Sequence, residues 1–342
     1  MYFYEISLLN SPLAPLTYSS SLALNVGYEV NVQLRNRSLH GVVIAQCSLP
    51  EFKTTDIKTV MPSYFSKEQI LMAKFIAQYY FCSLGEALNL FVPFLREERR
   101  ADSKEPAVST VNDEGYVVNE SESSIELSEK QNETLIFLQK HPVSLLFGDT
   151  GSGKTEIYMK YFEEVLRQGK RAFFLMPEIS LTPQMQSRLE EHFGDAVVMW
   201  HSKVTKPQKK KLLERIYNGS AKIIAGARSA LFLPVEDLGL IVVDEEHDDS
   251  YKANARPRYH ARDMAIYMGN LYKVPVVLGS ATPSMSSYVK FPNFRLKGGH
   301  FSADRTFVFE SCREEITARV ESAIVQTKAD DEQALLFIPT RA

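Results

Sequence analysis

The chain has 342 residues, a formal net charge of -3, and 44% hydrophobic and 24% charged residues; that length suggests roughly two domains at about 150 residues each, and the composition argues against disorder over most of it. The near balance of charge excludes a uniformly polybasic nucleic-acid binder and leaves any phosphate contact to local patches. Cys47, Cys82 and Cys312 show no CxxC spacing, no run reaches the length of a membrane span, and the N-terminus lacks a signal-peptide pattern, so a cytoplasmic protein without disulfides, zinc or membrane contact is expected.

In chain order, "YFYEISLL", "YEVNVQL" and "HGVVIAQ" are β-type runs broken by Pro12, Pro15, Gly27 and Gly41, which predict a small β-rich domain over 1–98. From Ser66, an N-cap candidate, "SKEQILMAKFIAQYYF" places Ile70, Leu71, Phe75, Ile76 and Tyr79 at helical spacing and predicts the helix that closes this unit. Residues 101–124 hold six acids and one lysine, the composition of a solvated stretch, so a polar linker is expected over 99–125. From 126 to 292 short apolar runs ("VSLLFG", "RAFFLMP", "AVVMW", "AKIIAG", "LGLIVVD", "VPVVLGS") alternate with amphipathic helices. That alternation predicts βαβ units around a parallel sheet, an α/β lobe.

"GDTGSGKT" fits GxxxxGK[ST] between a strand and a helix, so Gly148, Asp149, Thr150, Gly151, Ser152, Gly153, Lys154 and Thr155 are the expected ATP-binding loop. Backbone N–H groups there face phosphate oxygens, Lys154 reaches the β and γ phosphates, and Thr155 ligates Mg²⁺. "LIVVDEE" supplies the second metal-side carboxylate, Asp244, and beside it Glu245 to orient or deprotonate water. Hydrolysis is therefore favoured over transfer to a small acceptor. Glu246 reads equally as a solvated charge. "WHSKVTKPQKKK" (200–211) carries five lysines and reads as the solvated face of the following helix, with a phosphate-backbone contact as the other reading.

"MPEISLTPQM", "AGARSALF", "DEEH" and "GSATP" follow the P-loop in the order of a superfamily 2 helicase. With "RYHARDMA" they resemble more narrowly the PriA family of replication-restart helicases, over roughly residues 127–290. The resemblance implies a RecA-like lobe in which Gln131 reads adenine, Ser280 and Thr282 couple nucleotide state to DNA movement, and Pro177, Arg228 and Ser229 line a single-strand track. His247 is expected to link the γ-phosphate to "GSATP", completing a catalytic set of Lys154, Asp244, Glu245 and His247. The stretch "SYKANARPRYHARD" resembles the aromatic-rich loop of this family and of RecQ helicases, where Tyr251, Lys252, Arg256, Arg258 and Tyr259 stack on bases and hold phosphates; a basic loop packing its tyrosines on the lobe is the other reading.

Residues 1–95 resemble more weakly the family's domain for the 3′ end of a nascent strand. Thr17 stands where that family presents an acid, and its hydroxyl can still bond a 3′ hydroxyl; Tyr18 reads either as a base-stacking residue or as a core aromatic. The resemblance further implies that the winged-helix domain is absent, that 293–342 opens a second lobe, and that the chain is an N-terminal fragment. The family's zinc-binding cysteines then lie outside this chain, and the fragment should bind nucleotide but hydrolyse it poorly. The expected function is an ATP- and Mg²⁺-dependent 3′–5′ DNA helicase at stalled forks, acting on forked and single-stranded DNA with single-strand-binding and helicase-loading proteins as partners. The rivals are a P-loop kinase, for which "DEEH" and "GSATP" have no use, and a fork-binding platform in which ATP is a switch.

Overall fold

A computed structural model describes residues 1–96, 125–149, 151–297 and 316–335. The expected linker, Thr150, Cys312 and the closing segment "QALLFIPTRA" lie wholly or mostly outside them.

Seven strands form a first sheet: β1 (Tyr2–Leu8), β2 (Leu16–Ser20), β3 (Tyr28–Leu34), β4 (Arg37–Cys47), β5 (Thr55–Asp56), β6 (Thr59–Tyr64) and β7 (Phe94–Leu95), in spatial order β5-β2-β1-β4-β3-β6-β7. All neighbours are antiparallel except β2 and β5. Side chains alternate between the two faces of a strand. Tyr4, Ile6 and Leu8 of β1 meet Tyr18, Val30, Val32 and Val43 in one apolar cluster. Val42 and Ile44 of β4 turn the other way, onto α1 (Lys67–Tyr79) and its Ile70, Met72, Ala73 and Ile76. Ser66 starts that helix with a capping box: its Oγ accepts from Gln69 N–H at 3.2 Å, and Gln69 Oε1 accepts from Ser66 N–H at 3.1 Å, worth about 1 kcal/mol. A second, short helix, α2 (Leu84–Leu88), is capped in the same way by Ser83 and Glu86.

The second sheet is parallel throughout, in the order β10-β11-β9-β12-β13-β8-β14. Along the chain it runs α3 (Glu129–Gln139), β8 (Val143–Gly148), α4 (Lys154–Arg167), β9 (Arg171–Leu175), α5 (Pro183–Phe193), β10 (Val197–Trp200), α6 (Lys206–Tyr217), β11 (Ile223–Gly226), β12 (Leu238–Val243), α7 (Ala261–Tyr272), β13 (Val276–Ser280), α8 (Met285–Lys290) and β14 (Asn293–Leu296). All but the edge strand β14 are buried on both faces, as parallel strands covered by helices must be. Leu145, Phe173, Ile241 and Leu278 join one apolar cluster, and Leu146, Phe174, Val242 and Val277 join the other. The lobe extends past residue 292: β14 pairs with β8, Phe294 opposite Leu146, so residues 293–296 complete this sheet instead of opening a second one.

The two sheets belong to one compact unit, Met1–His300. Val42, α1 and Phe91 share an apolar cluster with Phe232, Tyr259 and Met264 of the lobe. Phe91 meets Phe232 edge-on at 4.8 Å, Val92 N–H donates to Phe232 O at 3.0 Å, and Tyr217 Oη donates to Pro93 O at 2.8 Å. Residues 301–342 form a second unit, of which α9 (Ala318–Ala329) is described, capped by Thr317. Among the described residues no helix is long and apolar enough to cross a membrane.

Candidate active site

Strand order brings three sequence-distant segments together, because β12, β13 and β8 are neighbours and their C-terminal ends carry "DEEH", "GSATP" and the P-loop. The crevice beyond the carboxyl ends of parallel strands is where such sheets bind ligands. Here it is a cleft of about 480 Å³ whose lining includes Gln131, Gly151, Ser152, Gly153, Lys154, Thr155, Asp244 and Glu245.

The P-loop is shaped by residues that only glycine serves. Gly153 has φ +89°, a left-handed backbone that suits glycine, and a Cβ there would push aside the Gln131 side-chain amide, 2.4 Å away. Lys154 is buried and its Nζ donates to Gly148 O at 2.8 Å and Asp149 O at 3.4 Å. Ser152 Oγ is buried without a hydrogen-bond partner among the described residues. Gln131 caps α3, accepting from Ser128 N–H at 2.9 Å, and donates to Gly153 O at 3.3 Å; each amide atom keeps capacity for one more bond.

Asp244 closes β12, whose six residues are all buried. Burial, and then the neighbouring Glu245 carboxylate, push the Asp244 carboxyl up to about 6, against the opposing pull of Lys154, the Glu245 N–H and Tyr158. Tyr158 Oη donates to Asp244 Oδ1 at 3.3 Å, and Tyr251 Oη to Asp244 O at 2.6 Å. Glu245 takes φ +47°, a left-handed conformation uncommon outside glycine and asparagine. It is held by flanking bonds from Asp244 N–H to Leu175 O and Glu246 N–H to Gly279 O, at 2.8 and 2.9 Å. A hydroxyl (Thr155) and two carboxylates facing one cleft are hard oxygen donors of the kind Mg²⁺ takes, and the unpartnered Ser152 hydroxyl is a donor suited to phosphate. The residues fit ATP with Mg²⁺.

His247 Nδ1 lies 2.8 Å from Ser280 Oγ and 3.6 Å from Glu245 Oε2, while its Nε2 lies 3.3 Å from Thr282 Oγ1. The four residues form one polar chain across the tips of β12 and β13.

Glu246, read from sequence as an equally good candidate for a solvated charge, is fully buried. It accepts from Ser284 N–H at 2.6 Å, Ser287 Oγ at 2.8 Å, Arg262 Nη1 at 2.9 Å and Ser284 Oγ at 3.0 Å. Burial works against its charge, yet the bonds from Ser284, Ser287 and Arg262 hold the carboxyl below its ordinary value. Sequence reasoning missed Arg262, Ser284 and Tyr158, since no spacing rule pairs residues so far apart; the weak signal was the serine-rich "PSMSS" after "GSATP".

The aromatic-rich loop departs from the expectation of base stacking. Tyr251 and Tyr259 are 1% and 4% exposed, and Tyr259 packs edge-on against Phe232 at 5.0 Å. Burial drives both phenols upward, Tyr259 to about 12; neither ring offers a free face, because the lobe core holds both. Lys252, Arg256 and Arg258 are exposed. Arg228 donates through Nη1 to Ser250 O and Lys252 O at 2.9 Å, fastening the loop, and Ser229 beside it is exposed. Pro177 is buried at the head of a single 3₁₀ turn. In the first sheet Thr17 is half-buried, whereas Tyr18 is 3% exposed and bonds Gln33 O at 3.4 Å, which makes it the core aromatic and not a stacking platform.

Residues 128–291 match the family described as DEAD/DEAH box helicase, and residues 8–93 the family described as 3′ DNA-binding domain. The chain is 44% identical to the replication restart protein PriA of Helicobacter pylori strain J99 over 345 aligned positions, covering 100% of this chain and 53% of that protein. It is 38% identical to the PriA of Rickettsia felis, over 83% of this chain and 43% of the relative. The chain thus spans about half the length of the curated relatives it matches. Among solved structures, RecG bound to a three-way DNA junction aligns at TM-score 0.42 and 18% identity, covering 61% of this chain and 28% of that one. The helicase MrfA aligns at 0.44 and 18%, covering 63% and 36%.

Proposed function

The chain belongs to the PriA family of replication restart proteins, and on that premise we propose that it works as an ATP-dependent 3′–5′ DNA helicase that recognises stalled forks and promotes reloading of the replicative helicase. The observation that carries the reading is the convergence of Lys154, Thr155, Asp244 and Glu245 on one cleft that continues through His247 to Ser280 and Thr282. A kinase has no use for that continuation.

In this reading the P-loop N–H groups and Lys154 hold the phosphates, Gln131 reads adenine, and Thr155 and Asp244 hold Mg²⁺, whose charge offsets that of the phosphates. Glu245 takes the proton of the attacking water. His247 passes the state of the site to Ser280 and Thr282, and Arg256, Arg258 and Lys252 hold phosphates of the strand. Thr17 is the residue proposed to meet the 3′ hydroxyl. Single-strand-binding and helicase-loading proteins are the partners proposed by family membership.

The test has two arms. Lys154→Ala should abolish binding of a fluorescent ATP analogue, and forks ending in a 3′ hydroxyl should bind more tightly than forks ending in a 3′ phosphate. Undiminished nucleotide binding would sink the ATP site, and equal affinity for both forks the end-recognition role. A second reading, a fork-binding platform in which ATP is a switch, draws support from the core shared by the two sheets. It gains if Lys154→Ala in the full-length protein abolishes unwinding but leaves fork restart intact.

A further inference from the structure

With Tyr251 and Tyr259 buried, the basic loop has cations but no tyrosine face to offer a base. The exposed aromatic beside it comes from the other sheet's helices. Phe81, in the turn between α1 and α2, is 87% exposed and sits at φ +53°, where a bulky L residue is an outlier and where such outliers cluster at binding sites. Phe81, Leu13, Leu84 and Arg256 line one open cleft of about 570 Å³, so the N-terminal domain and the basic loop share it. Arg256 Nε lies 3.8 Å from Glu86 Oε1, with 66% of its side chain exposed. Glu86 is already engaged: its Oε2 accepts from Ser83 N–H at 2.9 Å. The Arg256 contact with Glu86, on the other oxygen, is too long at 3.8 Å for a hydrogen bond, so the guanidinium keeps its donors for another anion.

A wall of Leu13, Leu84 and a free aromatic face, bordered by the exposed guanidinium of Arg256 on the loop that also carries Lys252 and Arg258, has the chemistry that takes a planar base on one side and its phosphate on the other. We propose that this cleft binds one nucleotide of single-stranded DNA, the base stacked on Phe81 and the phosphate held by Arg256, carrying the strand from the basic loop onto the N-terminal domain. The inference rests on the DNA-helicase reading.

Fluorescence anisotropy of a labelled oligothymidylate with the chain, over a range of salt, tests it. Phe81→Ala should weaken binding about fivefold or more, the low end for one stacked base, and Phe81→Trp should restore it. Arg256→Gln should lower the salt slope by about 0.7, the share of one phosphate contact on a single strand. Because the left-handed backbone suits glycine, Phe81→Gly should lose the same affinity yet unfold at an equal or higher temperature, a pair of results that a merely structural Phe81 does not give. Equal affinity of the parent and Phe81→Ala overturns the proposal, as does a lowered melting temperature in Phe81→Gly. Failure of the parent chain to bind the oligonucleotide at all overturns instead the helicase reading beneath it.

Discussion

A methyl group on residue 279 has nowhere to go: its carbon would lie 1.9 Å from Tyr158 Oη and 2.7 Å from Asp244 Oδ1. Gly279→Ala should therefore destabilise the chain by about 1–3 kcal/mol, as over-packing does, and displace the Asp244 carboxylate. Urea unfolding and nucleotide titration measure the two effects, and Tyr158→Phe in the same chain should recover part of the loss. Tyr251 gives a contrasting case. Truncating a buried aromatic costs about 3–5 kcal/mol, so Tyr251→Ala should lower stability by that order, whereas Tyr251→Phe should lose only about 1 kcal/mol, the hydrogen bond to Asp244 O. A Tyr251→Ala variant that melts like its parent would contradict the buried placement. The meeting of Lys154 and Asp244 in one cleft was legible in the sequence, because the Gly-rich loop and the apolar run before Asp244 mark the ends of two strands. Tyr251 and Tyr259 were not, because an irregular loop has no period from which to read burial.

At the level of elements, Glu246 ties three of them together: the turn after β12, α7 through Arg262, and α8 through Ser284 and Ser287. Removing one partner of a buried ion pair leaves the other uncompensated. Glu246→Ala should thus cost about 3–5 kcal/mol, and Glu246→Gln, which keeps the shape and most of the bonds, clearly less; thermal unfolding of the two variants side by side decides it. The long elements were legible. Strands β8, β9, β12 and β13 are apolar runs with helices between, and α1 announced itself through Ser66 and its period. Strands β2, β5, β6, β7 and β14 escaped notice because they are short or polar: β5 is two residues, both exposed, and β14 is edge-on with only Leu296 fully buried. Tertiary pairing, not local preference, makes them strands.

On the scale of the whole molecule, the N-terminal sheet and the lobe share the cluster around Phe91, Phe232 and Tyr259, so they should unfold as one. Phe232→Ala is expected to cost about 3–5 kcal/mol and to raise hydrogen exchange in α1 as well as in α7. Exchange confined to the lobe would show two independently folding parts. The parallel strand order has a different consequence. Positions 154, 244 and 280 are scattered along the chain, yet 244 and 280 sit at the tips of the neighbouring strands β12 and β13, about 4.8 Å apart as paired strands are, and 154 opens α4 and reaches back to the end of β8 through Gly148 O. Residues that act as one unit do not add their losses. In genetic terms the three positions should behave as a single locus: once one is lost, a second substitution has little left to take away.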